Sequence, residues 1–425
     1  MADRLTLRVR DIRPSATLAI HELSDALIKE GRKVYRLGLG QSPFPVPPSV
    51  VQALRDHAHE KDYLPVRGLP ALREAIADHV LRNTGVSYSP GLVQTGPGSK
   101  ELIFLTQLIL DVEVLLPSPS WVSYQPQATL AGRDLTWLTT KRANFWNLRP
   151  EVLEAHCASG PKRSRLLILN YPNNPTGATL DGGALTELAA VARAHGVLVI
   201  SDEIYGLVDH DGTHATLSKY YHEGTIVSTG ISKWCGAGGW RLGALLFPQE
   251  LRWLADAMAA AASETFSSVS APIQHAANVA YRGGPEIDEY LRHSRRIMRA
   301  LGRSCASSLD GCGLVVNRPE GGFYLFPSAT PLTEGLKARG IETSEALCNR
   351  LLADTGVALL PGSVFGRPVD ELTFRLSYVD FDGHAALQGS MATNGDLDEA
   401  FLRTYCPRVI DAMTAMVEWF PKRDA

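Results

Sequence analysis

From about residue 95 the chain alternates short apolar runs with amphipathic ones. EVLLPS, RLLILN, VLVIS, TIVSTG and GALLFP have the length and composition of buried strands, and LTELAAVARAHG has the 3.6-residue period of a helix. That helical stretch lies between RLLILN and VLVISDE and is long enough to cross from one parallel strand to the next. The alternation predicts βαβ units and a mainly parallel sheet. Ahead of it, a helical stretch at HELSDALIKEG gives way to the proline-punctuated SPFPVPPSVV. Beyond about residue 290 the texture changes to a long charged helix (IDEYLRHSRRIMRAL), strands at GGFYLFP and LTFRLSYVD, and a last helix near PRVIDAMTAMVEWF. The expected organisation is α/β, with an N-terminal arm and part of a small domain in 1–45, a large domain in 46–290 and a small C-terminal domain in 291–425. MATNGD, near residue 391, reads as a loop insertion, and no internal repeat stands out.

Composition narrows the classes. The 425 residues are 45% apolar and 20% charged with a net charge of −3, an ordinary balance for a globular protein. Both charge signs are interspersed, so nothing points to nucleic acid or an anionic membrane. The N-terminus (MADRLTLRVRDIRPSATLAI) breaks every apolar run with Arg or Asp, and no stretch approaches the ~20 residues of a membrane helix. Six cysteines show no CxxC pair and read as reduced thiols, so the expected location is the cytoplasm. No metal-ligand set is read.

Three polar residues fall just past predicted strand ends: Asn174 after RLLILNYPN, Asp202 after VLVIS and Lys233 after TIVSTGIS. They are spaced 28 and 31 residues apart, about one βαβ repeat each. In open α/β sheets the carboxyl ends of the strands line the crevice where ligands bind. In TGPGSKELIFLTQLIL, Gly96 and Gly98 make a turn and a helix starts near Ser99, a ready anion site that Arg241 could complete. Each feature has a plainer reading: a surface lysine, a turn cap at Asp202, a turn at NNPTG, an ion pair at Arg375. The plain readings do not explain why turn, aspartate and lysine occur in this order at these spacings.

The chain resembles the fold-type I pyridoxal-phosphate enzymes of the class I/II aminotransferase family. The matching segments are YLPVRGLPALREAIADHV, GPGSKELIF, NYPNNPTGATL, SDEIYG, SKWCGAGGWRLG, PEGGFYLFP and FRLSYV, spread from about residue 35 to 380. The resemblance implies an aspartate-aminotransferase-like fold, with a mainly parallel seven-stranded sheet flanked by helices and a smaller α+β domain. It implies pyridoxal 5′-phosphate held as a Schiff base on Lys233, which also shuttles the proton. Asp202 would pair with the ring nitrogen, and Asn174 and Tyr205 would hold the ring hydroxyl. Gly98, Ser99, Lys100 (through its backbone N–H), Ser232 and Arg241 would cradle the phosphate, and Trp121 would stack on the ring. Tyr63 would reach the neighbouring site of a homodimer. Arg375, with Gly40 and Asn174 near it, would grip the substrate α-carboxylate.

The implied reaction is ping-pong transfer of an amino group between an amino acid and a 2-oxo acid. A lyase, cyclase or C–C bond-forming enzyme acting at the β or γ carbon would use the same cofactor residues. A regulator that borrows this fold is not expected, because only about 35 residues precede the match and no basic recognition helix is visible. Two departures from the family pattern lie near the expected substrate entrance: Gln41-Ser42 in GLGQSPFPVPP, and a short connection in LDVEVLLPSPSW. No second arginine for a side-chain carboxylate is evident, so the substrate class stays open.

Overall fold

The computed structural model describes residues 14–160 and 163–421, together with Val9 and Ile12; residues 1–8 of the expected arm lie outside the described residues. A helix at Ala16–Lys29 leads into the two-residue strand β1 (Tyr35–Arg36). The central sheet follows: β2 (Val93–Gly96), β3 (Glu113–Ser118), β4 (Leu135–Thr139), β5 (Arg165–Asn170), β6 (Leu198–Asp202), β7 (Thr225–Gly230) and β8 (Gly243–Leu246). Its spatial order is β2-β8-β7-β6-β5-β3-β4. β3 to β7 run parallel, while β8 is antiparallel to both its neighbours. GALLFP is therefore a strand, as expected, but not part of a βαβ unit.

The runs EVLLPS and RLLILN are buried at every position. That is the pattern of a parallel strand covered on both faces. One apolar layer joins the sheet to the helices Ser99–Ile109, Tyr124–Ala131 and Arg252–Ser263; another joins it to Pro150–Ser159 and Gly182–Ala194. The Gly182–Ala194 helix is the crossover read from the sequence. The Asp181 carboxylate accepts the Ala184 N–H at its start, supplying an N-cap.

The strands of the smaller α+β part are short: β9 (Tyr324–Leu325), β10 (Val357–Ala358), β11 (Leu360–Pro361) and β12 (Phe374–Ser377). β11-β12-β9 form an antiparallel sheet, and β10 pairs in parallel with β1, tying the two ends of the chain together. The 27-residue helix Pro285–Gly311 packs against the last helices and also runs through the expected boundary at 290.

Candidate active site

Register brings the site together. Asn170 at the end of β5 pairs with Asp202 at the end of β6, and Asp202 pairs with Ser228 in β7. The chain leaves β7 at Gly230 and reaches Lys233 three residues later. All three strand ends open on one cavity of about 360 Å³. The small-domain strand β12 supplies Arg375, and the N-terminal segment supplies Ser15, Thr17, Leu18, Gly40 and Gln41. The volume suits a cofactor with a small substrate.

One end of the cavity is built for an anion. The helix Ser99–Ile109 begins there, and the first N–H groups of a helix have no partner within it. Gly98 adopts φ +87°, a conformation costly for other residues, and lies so close to the Arg241 guanidinium that any side chain would displace it. Arg241 itself is left-handed at φ 55°, which costs a non-glycine residue of order 1 kcal/mol. That backbone turns its side chain toward the helix start, where Nη2 donates to the Pro97 carbonyl at 3.3 Å and Nη1 to Gly238 at 2.9 Å. Ser99, Lys100 and Ser232 face the same cavity.

The middle of the cavity holds a buried carboxylate and a buried amine. Asp202 accepts hydrogen bonds from the Tyr124 hydroxyl (2.6 Å) and the Ser228 hydroxyl (3.1 Å). Burial pushes its pKa up to about 6 despite those donors. Among the described residues no salt bridge pairs it with a cation. The Lys233 Nζ donates to the Gly40 carbonyl at 2.7 Å. Burial, then the positive charges of Arg375 and Arg241, draw it down to about 8. An amine so placed loses its proton far more readily than a surface lysine.

The far wall carries the complement of Asp202. Arg375 is 1% exposed, and Nη1 donates to Asn174 Oδ1 at 3.1 Å while Nη2 donates to the Gly38 carbonyl. Its Nε is buried without a partner, and among the described residues no carboxylate forms a salt bridge with it. Burying a guanidinium this way is expensive unless a ligand completes it.

The family model for aminotransferase class I and II matches residues 32–382. An aspartate aminotransferase from Geobacillus stearothermophilus is 35% identical over 385 residues, covering 88% of this chain and 94% of that protein. The chain belongs to the class I and II aminotransferase family. An asparagine–oxo-acid transaminase from Streptococcus mutans is 30% identical over 386 residues, covering 88% of this chain and 94% of its own length. The Thermus thermophilus aspartate aminotransferase solved with maleate superposes with a TM-score of 0.81 at 29% identity, covering 91% of this chain and 98% of that one. This aminotransferase therefore uses pyridoxal 5′-phosphate and carries amino groups between amino acids and 2-oxo acids; the lyase or cyclase alternative is not favoured.

The residues present fit that cofactor. An anion cradle, a buried carboxylate lacking a cation and a lysine of lowered basicity match a phosphate, a protonated pyridine nitrogen and an aldehyde. Every residue named from the aminotransferase motifs lines the cavity except Gly98, which lies beneath Arg241, and Tyr63, which is 92% exposed.

Three residues escaped the motif reading. Tyr124 donates to Asp202; it sits three residues after Trp121, and the rings meet edge to face. Asn170 donates from Nδ2 to the Asp202 carbonyl at 2.7 Å, and its Oδ1 accepts the Asn174 N–H at 2.8 Å. Tyr324, inside GGFYLFP, has its hydroxyl 2.7 Å from that of Tyr205, and its ring lies under the Arg375 guanidinium at 4.8 Å. A polar residue closing an apolar strand was the available signal for Asn170. Only tertiary packing brings Tyr324 to the site.

Proposed function

We propose that the chain transfers the amino group of an acidic amino acid to a dicarboxylic 2-oxo acid, working as a cytoplasmic homodimer. The observation that carries this is the charge of the cavity: Lys100, Arg241 and Arg375 face it with Lys233, against the single carboxylate of Asp202. Arg241 serves the phosphate and Arg375 the α-carboxylate, which leaves Lys100 for a second substrate carboxylate. Its Nζ lies 5.3 Å from the centre of the Trp121 ring, and burial followed by the Arg241 charge lowers its basicity. The family motif implies only a backbone role for Lys100, and among the described residues no second arginine stands in its place. The aspartate aminotransferases among its relatives, and the maleate of the Thermus structure, favour the same substrate class.

The bound cofactor supplies an aldehyde that condenses with amines and a ring that draws electrons from the substrate α-carbon. Asp202 keeps the ring nitrogen protonated, and Tyr124 and Ser228 orient its carboxylate. Lys233 Nζ would take the substrate α-proton and return it; the Gly40 carbonyl sets its position, and burial with the two arginines lowers its basicity. Asn174 and Tyr205 hold the ring hydroxyl, Trp121 covers the ring face, and Ser99, Ser232 and the Lys100 N–H take the phosphate. Tyr63, exposed on the lone chain, reaches the partner's phosphate site.

The test is a single half-reaction. Holoenzyme mixed with aspartate or glutamate, without acceptor, should release one equivalent of the matching 2-oxo acid as the cofactor absorption changes to that of the amine form. Alanine and phenylalanine should react far more slowly. A Lys100→Ala substitution should raise KM for aspartate by roughly 10- to 100-fold, as expected for losing a hydrogen bond to a charged group, with little effect on alanine. Equal rates for neutral and acidic donors would overturn the substrate assignment.

A further inference from the structure

A second cluster of chemistry-bearing side chains lies outside the cavity. The helix Pro48–Asp56 ends at His57, and the stretch His57-Ala58-His59-Glu60 follows. Packed against this helix is Ala271–Arg282, which contributes His275. One donor atom from each of His57, Glu60 and His275 lies within 4.8 Å of the others, all three residues being half-buried. His57 Nδ1 is 3.6 Å and His59 Nε2 3.8 Å from Glu60 Oε1, too long for hydrogen bonds. His57 Nδ1 is also shielded from solvent without a partner. The His57 and His275 rings stack at 4.1 Å. None of these residues lines the active-site cavity.

We propose that His57, Glu60 and His275 form a binding site for a zinc-class divalent transition metal, with His59 able to complete a fourth position. Two or three imidazoles with one carboxylate are the donors zinc takes; calcium and magnesium prefer all-oxygen sets. Tetrahedral zinc, with bonds of about 2.0–2.1 Å, sets its ligand atoms roughly 3.3 Å apart. The Glu60 contacts are already near that spacing, and the stacked rings would close on each other at the side facing Glu60 while splaying at the far side. His275 is held in place from beneath. Its neighbour Gln274 is fully buried, donates to the Val269 carbonyl at 2.8 Å and accepts the Leu69 N–H at 2.7 Å, fixing the first turn of the helix. The metal would staple two helices at the root of the segment that carries Tyr63. Its role is structural, because none of its donor residues lines the substrate cavity.

The test uses untagged holoenzyme dialysed against zinc alone, with bound metal measured per chain. The site predicts about one zinc per chain and a rise in melting temperature with zinc. A His57→Ala/His275→Ala double variant should lose both, and a control His21→Ala, remote in sequence, should keep both. Glu60→Gln, a milder change, should weaken zinc at least as much as the roughly 10- to 100-fold that losing an outer-shell partner costs. Retained cofactor absorption reports that each variant has folded. In the unmutated protein, zinc should protect His57 and His275 from an imidazole-acylating reagent. No stoichiometric zinc uptake, uptake unchanged in the double variant, or no protection of the two histidines would overturn the proposal.

Discussion

Asp202 shows how a single residue can be costly in one state and necessary in another. Burial moves its pKa from 3.8 to about 6. A carboxyl group raised on folding adds stability that is fully present below pH 3.8 and lost as pH rises through about 6. A shift of about two units corresponds to roughly 3 kcal/mol. The cofactor-free protein therefore carries an uncompensated anion at neutral pH, and a cationic ring nitrogen relieves it. Asp202→Asn is expected to leave cofactor-free protein at pH 8 with a melting temperature equal to or above that of the unmodified chain. The same change should cost activity roughly 100-fold or more, the scale seen when one aimed electrostatic partner is removed. A marked drop in the melting temperature would show that Asp202 is a structural anchor instead. Asn174, Asp202 and Lys233 were legible in the sequence because each is a polar group placed just past an apolar run. Tyr124 and Tyr324 act through packing, and their neighbours in sequence do not reveal it.

Among the elements, the two ends of the central sheet do different work. The carboxyl ends of β5, β6 and β7 hold the site, while the opposite edge holds an ion network around Glu113, the first residue of β3. Glu113 is 2% exposed and accepts from Thr136 of β4 (2.7 Å), from Arg163 (2.9 Å) and from Arg165 of β5 (3.3 Å), with His156 Nε2 at 3.1 Å. Burial alone would raise its pKa; the hydrogen bonds from Thr136, Arg163 and His156 outweigh burial and hold it at about 2. Its stabilisation is present above pH 4.5 and is lost as pH falls through about 2. Glu113→Gln should destabilise the protein by roughly 3–5 kcal/mol, the usual cost of leaving buried charges unpaired, and flatten the acid limb of a melting-temperature profile. An unchanged acid limb would contradict this. Hydrophobic periodicity made the strands and crossover helix legible, because burial on both faces demands continuous apolar runs. It did not give the antiparallel β8, whose apolar run reads the same in either direction. Nor did it give the brevity of β9 and β12, since loops continue the apolar texture of GGFYLFP past the last paired residue.

At the scale of the whole molecule, the site draws on the N-terminal segment, the central sheet and the small antiparallel sheet, so it exists only when distant parts of the chain meet. The proposed dimer extends that dependence to a second chain. Mixing Tyr63→Ala and Lys233→Ala chains tests it: in the mixed dimer one site receives an intact Tyr63 from the partner and its own Lys233. Statistical pairing then predicts recovery of about a quarter of full activity. No recovery beyond the Tyr63→Ala chains alone would place Tyr63 outside the shared site. The most direct test of the central claim is to treat the holoenzyme with borohydride, digest it and map the attached pyridoxyl group by mass. The account predicts one group per chain, on Lys233, and none in Lys233→Ala. A group fixed on Lys100 or another lysine, or no fixed group in a yellow, active enzyme, would contradict it.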